Sequence, residues 1–190
     1  MTNFNPSDIE RRKTLLERKT EQDRLIQSKL VYERPRMRLR YVRLNPNALE
    51  PTKGDPYAAC YDLSCPAGTK IEVSFGQKEP IVIPTGLAIE VPRGYHVKIY
   101  PRSSMPLRYC ATLANCTAII DNGYLNEWKL LVLPFNWSTQ DCEFFKKACE
   151  EGVALAQFEM VENGVDLDFD EVSDFGDSYD RGGGFGSTGK

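Results

Sequence analysis

The sequence from residue 81 to residue 100 reads IVIPTGLAIEVPRGYHVKIY. It holds two runs that are rich in β-branched and aromatic residues, Ile81–Val91 and Tyr95–Tyr100. Prolines at positions 84 and 92 and glycines at positions 86 and 94 interrupt or separate these runs. Proline and glycine weaken the interior of a strand and favour turns, so this stretch predicts short strands joined by tight turns.

The same alternation of short β-prone runs and turn residues extends on both sides. The further runs are Met37–Leu44, Lys70–Phe75, Ala118–Ile120, Trp128–Phe135 and Val153–Val161. Regular short strands with this punctuation are typical of an all-β sandwich or barrel. Between the last two runs, residues 140–151 fit either a short helix or a long hairpin loop.

The two ends of the chain differ from the β region in charge and composition. Residues 1–36 are predicted to form a basic helical extension, in which Ser7 and Glu10 fit a capping box. Residues 37–165 form the predicted β domain, and residues 166–190 an acidic arm that ends in a flexible glycine-rich tail. The first 40 residues hold eleven lysines and arginines against six acidic residues. Such an arm can bind an acidic protein surface or nucleic acid, and a solvated charged helix explains the charge equally well.

Composition excludes several classes of protein. The sequence has no run of 18 apolar residues and no apolar secretory signal at its N-terminus. We therefore expect no membrane association and a cytoplasmic location, in the host cytoplasm if the source is viral. Six cysteines occur without a C-x-x-C pair, and there is a single histidine. This pattern argues against a zinc site and for reduced thiols.

The C-terminal stretch RGGGFGSTG, residues 181–189, has the composition of a segment that becomes ordered over a ligand. Glycines let backbone N–H groups approach phosphate oxygens closely, and Arg181 can fork onto a phosphate. Ser187 and Thr188 add hydroxyl donors, and Phe185 can cover a flat ring. For a glycine-rich terminus taken alone, a flexible linker without a ligand is the simpler explanation.

Asp121 is the strongest candidate for acid–base chemistry. It follows the apolar residues Ile119 and Ile120 and precedes an Asn-Gly turn, which places a carboxylate at the end of a strand. A carboxylate at the wall of a pocket can take a proton from water. Taken alone, the same residues also fit an ordinary Asx turn.

Five segments resemble, in order and at fitting intervals, the five motifs of the trimeric dUTP nucleotidohydrolases (dUTPases). They are Ala58–Leu63, Pro101–Ser104, Asn115–Tyr124, Leu155–Phe158 and the tail Arg181–Gly189. Each motif is short, but five in order are specific, and the resemblance spans about residues 37–189. It implies an all-β, dUTPase-like β-barrel or jelly-roll-like (β-clip) domain, and a homotrimer whose active sites are shared between subunits.

The resemblance also implies an activity, the Mg²⁺-dependent hydrolysis of dUTP to dUMP and pyrophosphate. This reaction limits uracil incorporation into DNA and supplies dUMP for dTMP synthesis. In the family, the residue corresponding to Asp121 activates the water that attacks the α-phosphorus. Tyr124 corresponds to a tyrosine that stacks under the deoxyribose and excludes a 2′-hydroxyl. Asn115 corresponds to an asparagine that binds uracil in some members, and an ordinary turn asparagine fits that position equally well.

The remaining site residues come from the resemblance alone. Asp62 corresponds to a residue near the waters of the bound Mg²⁺, and the ion takes its other ligands mainly from the triphosphate. The other substrate-binding residues contact phosphates or close over the base, and they are Arg102, Ser103, Ser104, Gln157, Arg181, Phe185, Gly186, Ser187 and Thr188.

The chain departs from the family pattern at four places. Cys60 replaces the usual glycine of the first motif, and residues 152–154 lack the arginine that usually opens the fourth motif. Residues 138–151 form a longer connection than usual. The tail has one residue fewer between Arg181 and Phe185.

Two alternative functions stay open. A dCTP deaminase, or a bifunctional deaminase–dUTPase, belongs to the same superfamily and has similar R-S-S and I-D-x-G segments. It needs a catalytic glutamate on the strand that follows, and residues 128–135 contain no carboxylate. A regulatory binding protein on the same fold would use the N-terminal arm to bind a partner.

Overall fold

The computed structural model describes residues 36–174. The predicted N-terminal helix and the glycine-rich tail therefore lie outside the described residues. Within residues 36–174 the chain forms nine strands and two short helices, which confirms the all-β prediction. No helix in this part of the chain is long and apolar enough to span a membrane.

The elements follow one another along the chain without internal repetition. The strands are β1 (Tyr41–Arg43), β2 (Tyr61–Ser64), β3 (Ile81–Pro84), β4 (Leu87–Ile89), β5 (Tyr95–Pro101), β6 (Ala111–Leu113), β7 (Ala118–Ile120), β8 (Lys129–Pro134) and β9 (Ala154–Glu162). The helices are α1 (Ser104–Tyr109), between β5 and β6, and α2 (Thr139–Glu150), between β8 and β9.

The strands form three antiparallel sheets around one apolar core. The largest sheet has the order β2-β9-β5-β7, the second has the order β3-β8-β6, and β1 pairs with β4. Buried residues alternate with more exposed ones along β5, β6 and β8, as expected for strands with one face on a core. The largest of the fully buried side chains are Trp128, Trp137 and Phe145.

Most predicted strands are confirmed, but the strand predicted over Lys70–Phe75 is wrong. Ile71 and Val73 pack against the core with half-buried side chains, yet this segment pairs with no neighbouring strand. The alternation of apolar and polar residues in this segment therefore reflects partial burial of every second side chain, without backbone hydrogen bonds to a neighbouring strand. The run Ile81–Val91 is divided into β3 and β4, which belong to different sheets.

The segment that fits either a helix or a hairpin loop is the helix α2. A capping box begins it: the Ser138 hydroxyl accepts a hydrogen bond from the Asp141 N–H at 3.1 Å, and the Asp141 carboxylate accepts one from the Ser138 N–H at 2.8 Å. The Ser138 hydroxyl also donates to the Asp141 carboxylate, at 2.6 Å, and this bond, together with the one from the Ser138 N–H, lowers the pKa of Asp141. The buried face of α2 includes Cys142 and Phe145, so the long connection before β9 is a packed element.

The turn between β3 and β4 is tightly constrained. Gly86 has a positive φ of 68°, and a Cβ atom added there would lie 2.9 Å from side-chain atoms of Ala48, Asn45 and Pro66. The buried Thr85 hydroxyl donates to the Trp128 carbonyl oxygen at 2.6 Å. This turn is therefore fixed against the residue that precedes β8, and only glycine fits its centre.

Candidate active site

One group of polar side chains forms where β2, β9 and β5 lie side by side. The sheet register aligns Asp62 with Gln157, and Gln157 with Tyr100, so their side chains project from the same face. Arg102 follows the end of β5, and its Nε lies 3.2 Å from Oδ1 of Asp62. The Gln157 amide donates to the Pro101 carbonyl oxygen at 3.3 Å. We call Asp62, Arg102 and Gln157 the phosphate cluster.

The guanidinium of Arg102 is oriented from two sides. Its Nε pairs with Asp62, and its Nη1 donates to the Ala154 carbonyl oxygen at 3.3 Å. Its side chain is 36% exposed, and that of Asp62 is 22% exposed. An arginine has five N–H donors, so this arrangement leaves donors that can bind a phosphate in solvent-accessible space.

Two serines extend the phosphate cluster. Ser103 precedes α1, is exposed, and makes no side-chain capping hydrogen bond to that helix. Its hydroxyl is therefore available to donate a hydrogen bond to a ligand, since it does not cap the helix. Ser104 opens α1 and is half-buried.

Asp121 lies in a second group, on the turn after β7. The Tyr124 N–H donates to the Asp121 carbonyl oxygen at 3.2 Å, and Gly123 at the centre has a φ of 89°. No hydrogen bond to the Asp121 carboxylate is found among residues 36–174. The backbone closes this turn, so the carboxylate is exposed and is not used as an Asx cap. We call residues 121–127 the Asp121 turn.

Tyr124 and Asn115 flank this region differently. Tyr124 is 41% exposed, and its hydroxyl donates to the Glu127 carbonyl oxygen at 3.2 Å, which holds the ring against the end of the Asp121 turn. Asn115 is exposed in the connection between β6 and β7. It and Asp121 therefore lie at opposite ends of the three-residue strand β7.

The sheet register separates Asp121 from the phosphate cluster within one chain. Val97 pairs with Ile120, so Asp121 comes next to His96 at the beginning of β5, whereas Arg102 follows its last residue. These positions on β5 are six residues apart, which corresponds to about 20 Å of extended chain. A single copy therefore carries two half-sites, and it does not bring Asp121 to Arg102.

The described residues fit a magnesium ion that is held mainly by its substrate. No group of three or more histidine, cysteine or acidic side chains with metal-binding geometry occurs within residues 36–174. Asp62 supplies a single carboxylate, and Oδ1 of that carboxylate pairs with Arg102. The other oxygen suits a hydrogen bond from a water of a hydrated Mg²⁺, because this ion keeps several waters and binds phosphate oxygens.

Cys60, which stands two residues before Asp62, is half-buried. Burial raises the pKa of its thiol, so it is neutral near pH 7. The replacement of glycine by Cys60 therefore adds no charge beside the phosphate cluster.

Glu127, at the end of the Asp121 turn, was not among the residues predicted from the sequence. The Glu127 carboxylate accepts a hydrogen bond from the Gly86 N–H at 2.8 Å. The only local signal was an acidic residue between a turn and a buried tryptophan. Arg181, Phe185, Gly186, Ser187 and Thr188, which were predicted to bind substrate, lie outside the described residues.

A family model for dUTPase matches residues 47–189 of the chain. The chain belongs to the dUTPase family. A dUTPase of Nautilia profundicola, named deoxyuridine 5'-triphosphate nucleotidohydrolase, is 36% identical over 154 residues, which cover 81% of this chain and 100% of that protein. The protein of the same name from Arabidopsis thaliana is 33% identical over 147 residues, which cover 77% of this chain and 80% of the plant protein.

Solved dUTPases share the fold described above. A variant dUTPase of Staphylococcus bacteriophage 80alpha, solved with dUpNHpp, superposes with a TM-score of 0.64 at 23% identity and covers 80% of this chain and 99% of its own. A variant dUTPase of phage phi11 of S. aureus, described with a structural Mg(II) ion, has a TM-score of 0.58 at 21% identity, and covers 74% of this chain and 99% of its own. At these identities the likeness establishes the dUTPase fold of the chain.

Proposed function

We propose that this protein is a dUTP diphosphatase that hydrolyses dUTP to dUMP and pyrophosphate. The observation that carries the proposal is the exposed carboxylate of Asp121, which has no hydrogen-bond partner within residues 36–174 and lies on a turn that also holds Tyr124. Family membership supplies the substrate class, and the phosphate cluster supplies cationic and amide donors for a triphosphate.

In the proposed mechanism, the Asp121 carboxylate accepts a proton from a water molecule as the water oxygen forms a bond to the α-phosphorus. The bond from the α-phosphorus to the bridging oxygen breaks, and its electron pair leaves with pyrophosphate. Arg102 donates hydrogen bonds to phosphate oxygens and offsets the negative charge that develops there. Gln157 and Ser103 add neutral donors that orient the chain of phosphates.

Magnesium is part of the proposal. When bound, Mg²⁺ neutralises charge on the triphosphate and favours the departure of pyrophosphate. Asp62 would hold a water of the hydrated ion through the oxygen that Arg102 does not use. Arg102 in turn fixes the orientation of Asp62 through their ion pair.

The separation of the two half-sites favours an oligomer with shared sites. Asp121 and Arg102 lie at opposite ends of β5, and in the proposed oligomer the Asp121 turn of one copy meets the phosphate cluster of another. A homotrimer arranged in this way provides three equivalent sites. The tail, through Arg181, Ser187 and Thr188, would contact the γ-phosphate, Gly186 would also bind the substrate, and Phe185 would cover the uracil.

The decisive test is a product assay with the purified full chain, Mg²⁺ and each of the four common dNTPs and dUTP in turn. We expect pyrophosphate from dUTP and no ammonia from dCTP. Release of ammonia from dCTP would favour the deaminase alternative, although neither β8 nor the residue on either side of it supplies a carboxylate. Absence of pyrophosphate from every nucleotide would favour a binding protein that uses the N-terminal arm.

Replacement of Tyr124 by alanine is expected to weaken the discrimination between dUTP and UTP. The tyrosine ring is held by its hydrogen bond to Glu127, and we propose that it occupies the space that a 2′-hydroxyl needs. The measurement is the ratio of kcat/KM for dUTP to kcat/KM for UTP, which should fall by about 10-fold or more, the discrimination that a close-fitting pocket achieves against a single added group the size of a methylene. Phe75→Ala, at an exposed aromatic residue outside the Asp121 turn and the motif segments, is the control. An unchanged ratio in Tyr124→Ala would place sugar selection at another residue.

A further inference from the structure

The Asp121 turn is attached to the rest of the fold at both ends. Near its beginning, the Asn122 amide donates to the Val91 carbonyl oxygen at 2.6 Å. At its end, Oε1 of Glu127 accepts from the Gly86 N–H at 2.8 Å. The exposed loop that carries Asp121 is therefore bonded to two separate segments, the β3–β4 turn and the residue Val91 after β4.

The attachment at Glu127 is made to a part of the fold that cannot easily move. Gly86 is buried, has a positive φ, and leaves no room for even one added carbon atom. Trp128, which follows Glu127 in the chain, is fully buried, and its backbone N–H donates to the Leu87 carbonyl oxygen at 2.8 Å. The contacts of residues 127–128 therefore transmit the position of the β3–β4 turn to the Asp121 turn.

Glu127 accepts two hydrogen bonds, one at its side chain and one at its backbone, from two different segments. Its carboxylate accepts from Gly86, and its carbonyl oxygen accepts from the Tyr124 hydroxyl at 3.2 Å. If the carboxylate loses Gly86, the peptide group between Glu127 and Trp128 keeps only its bond to Leu87, and the point that holds the tyrosine ring is less firmly attached. The peptide groups between Tyr124 and Asp121 close the same turn, so Asp121 is displaced as well.

We propose that Glu127 is a positioning residue that holds Asp121 and Tyr124 in place by accepting the Gly86 N–H. The inference rests on the proposed function. Its acceptor oxygen is what matters, and its negative charge is secondary: the ion pair of its other oxygen, with Lys129 Nζ at 3.6 Å, involves a lysine side chain that is 53% exposed, and exposed pairs contribute little. A glutamine at this position has the same length and an equivalent acceptor, whereas an alanine leaves the buried Gly86 N–H without a partner.

The test compares Glu127→Ala, Glu127→Gln and Lys129→Gln in the full chain. The lysine variant is the matched control, since it removes the neighbouring ion pair and leaves the Gly86 bond intact. We expect Glu127→Ala to lower kcat for dUTP by about 10- to 100-fold, because small displacements of a reacting group cost rates of this size. The ratio of dUTP to UTP activity should fall in the same variant, and both Glu127→Gln and Lys129→Gln should stay within about threefold of the parent protein.

A second measurement does not depend on activity. Amide hydrogen exchange should speed up at Gly86 and across residues 121–127 in Glu127→Ala, and should stay at the parent rate in Glu127→Gln. If the parent protein fails to hydrolyse dUTP, the proposed function falls, and the exchange result still decides whether Glu127 anchors the turn.

Two outcomes would overturn the inference. One is a Glu127→Ala variant with the parent kcat and the parent dUTP to UTP ratio. The other is a Glu127→Gln variant as impaired as Glu127→Ala, which would assign the effect to charge. If Glu127→Ala fails to fold, two other variants provide the test. Glu127→Gln should keep the parent kcat. Asn122→Ala, which removes the hydrogen bond from the Asp121 turn to Val91, should lower kcat.

Discussion

Replacing Asp121 with asparagine is expected to lower kcat for dUTP by about 10²- to 10⁴-fold, the range of general-base contributions. Asparagine has nearly the shape of aspartate, but its amide oxygen is far too weak a base to take a proton from water. The backbone hydrogen bond that closes the turn uses the carbonyl oxygen of residue 121, so the fold should be unchanged. Steady-state kinetics with Mg²⁺ and calorimetric binding of the non-hydrolysable analogue dUpNHpp would separate loss of catalysis from loss of binding.

The matched control for this variant is Glu79→Gln. It removes one exposed carboxylate from a loop before β3, so it changes the net charge equally and is distant in sequence from every proposed site residue. We expect parent kinetics for this control. A kcat for Asp121→Asn within a few-fold of the parent value would remove Asp121 from the proposed mechanism.

Replacing Arg102 with lysine should be almost as damaging as replacing it with alanine. The guanidinium pairs with Asp62 and Ala154 while other N–H donors remain for the substrate. A lysine ammonium keeps the charge, but it cannot make a planar, forked set of bonds. We expect kcat/KM for dUTP to fall by about 10²- to 10³-fold in both variants, the cost of losing one donor that stabilises a transition state.

Arg93→Lys serves as the control for the Arg102 variants, because Arg93 is an exposed arginine in the turn before β5. The apparent affinity for Mg²⁺ should also weaken in Arg102→Ala, since the ion pair that orients Asp62 is lost. Parent activity in Arg102→Lys would show that charge alone suffices at this position, and the proposed orienting role of the fork would be abandoned.

Local sequence predicted those parts of the fold that depend on neighbours in the chain. The turns at Gly86 and Gly123, the strand β5 and the exposed Asp121 after β7 all follow from residues adjacent to one another. The helix α2 could also have been predicted from the sequence, because Ser138 and Asp141 have the spacing of a capping box. What alternation alone could not show is whether a segment has a partner strand, and residues 70–75 have none.

The contacts that build the candidate site join residues that are far apart in the sequence. Asp62 and Arg102 meet only because β9 lies between β2 and β5 in a particular register. Glu127 and Gly86 are 41 residues apart, and their hydrogen bond depends on how β3, β4 and β8 pack. Such contacts follow from tertiary structure, which motif spacing does not encode. Family resemblance supplied the roles of Asp62 and Arg102 without supplying the bond between them.

The location of Asp121 and Arg102 at opposite ends of β5 has a genetic consequence. If each site takes its aspartate from one copy and its arginine from another, two inactive alleles can complement each other. In mixed oligomers of Asp121→Asn and Arg102→Ala chains at equal amounts, about a quarter of the sites would combine an intact Asp121 with an intact Arg102. A cell that carries both damaged genes would then recover an activity that neither gene provides alone.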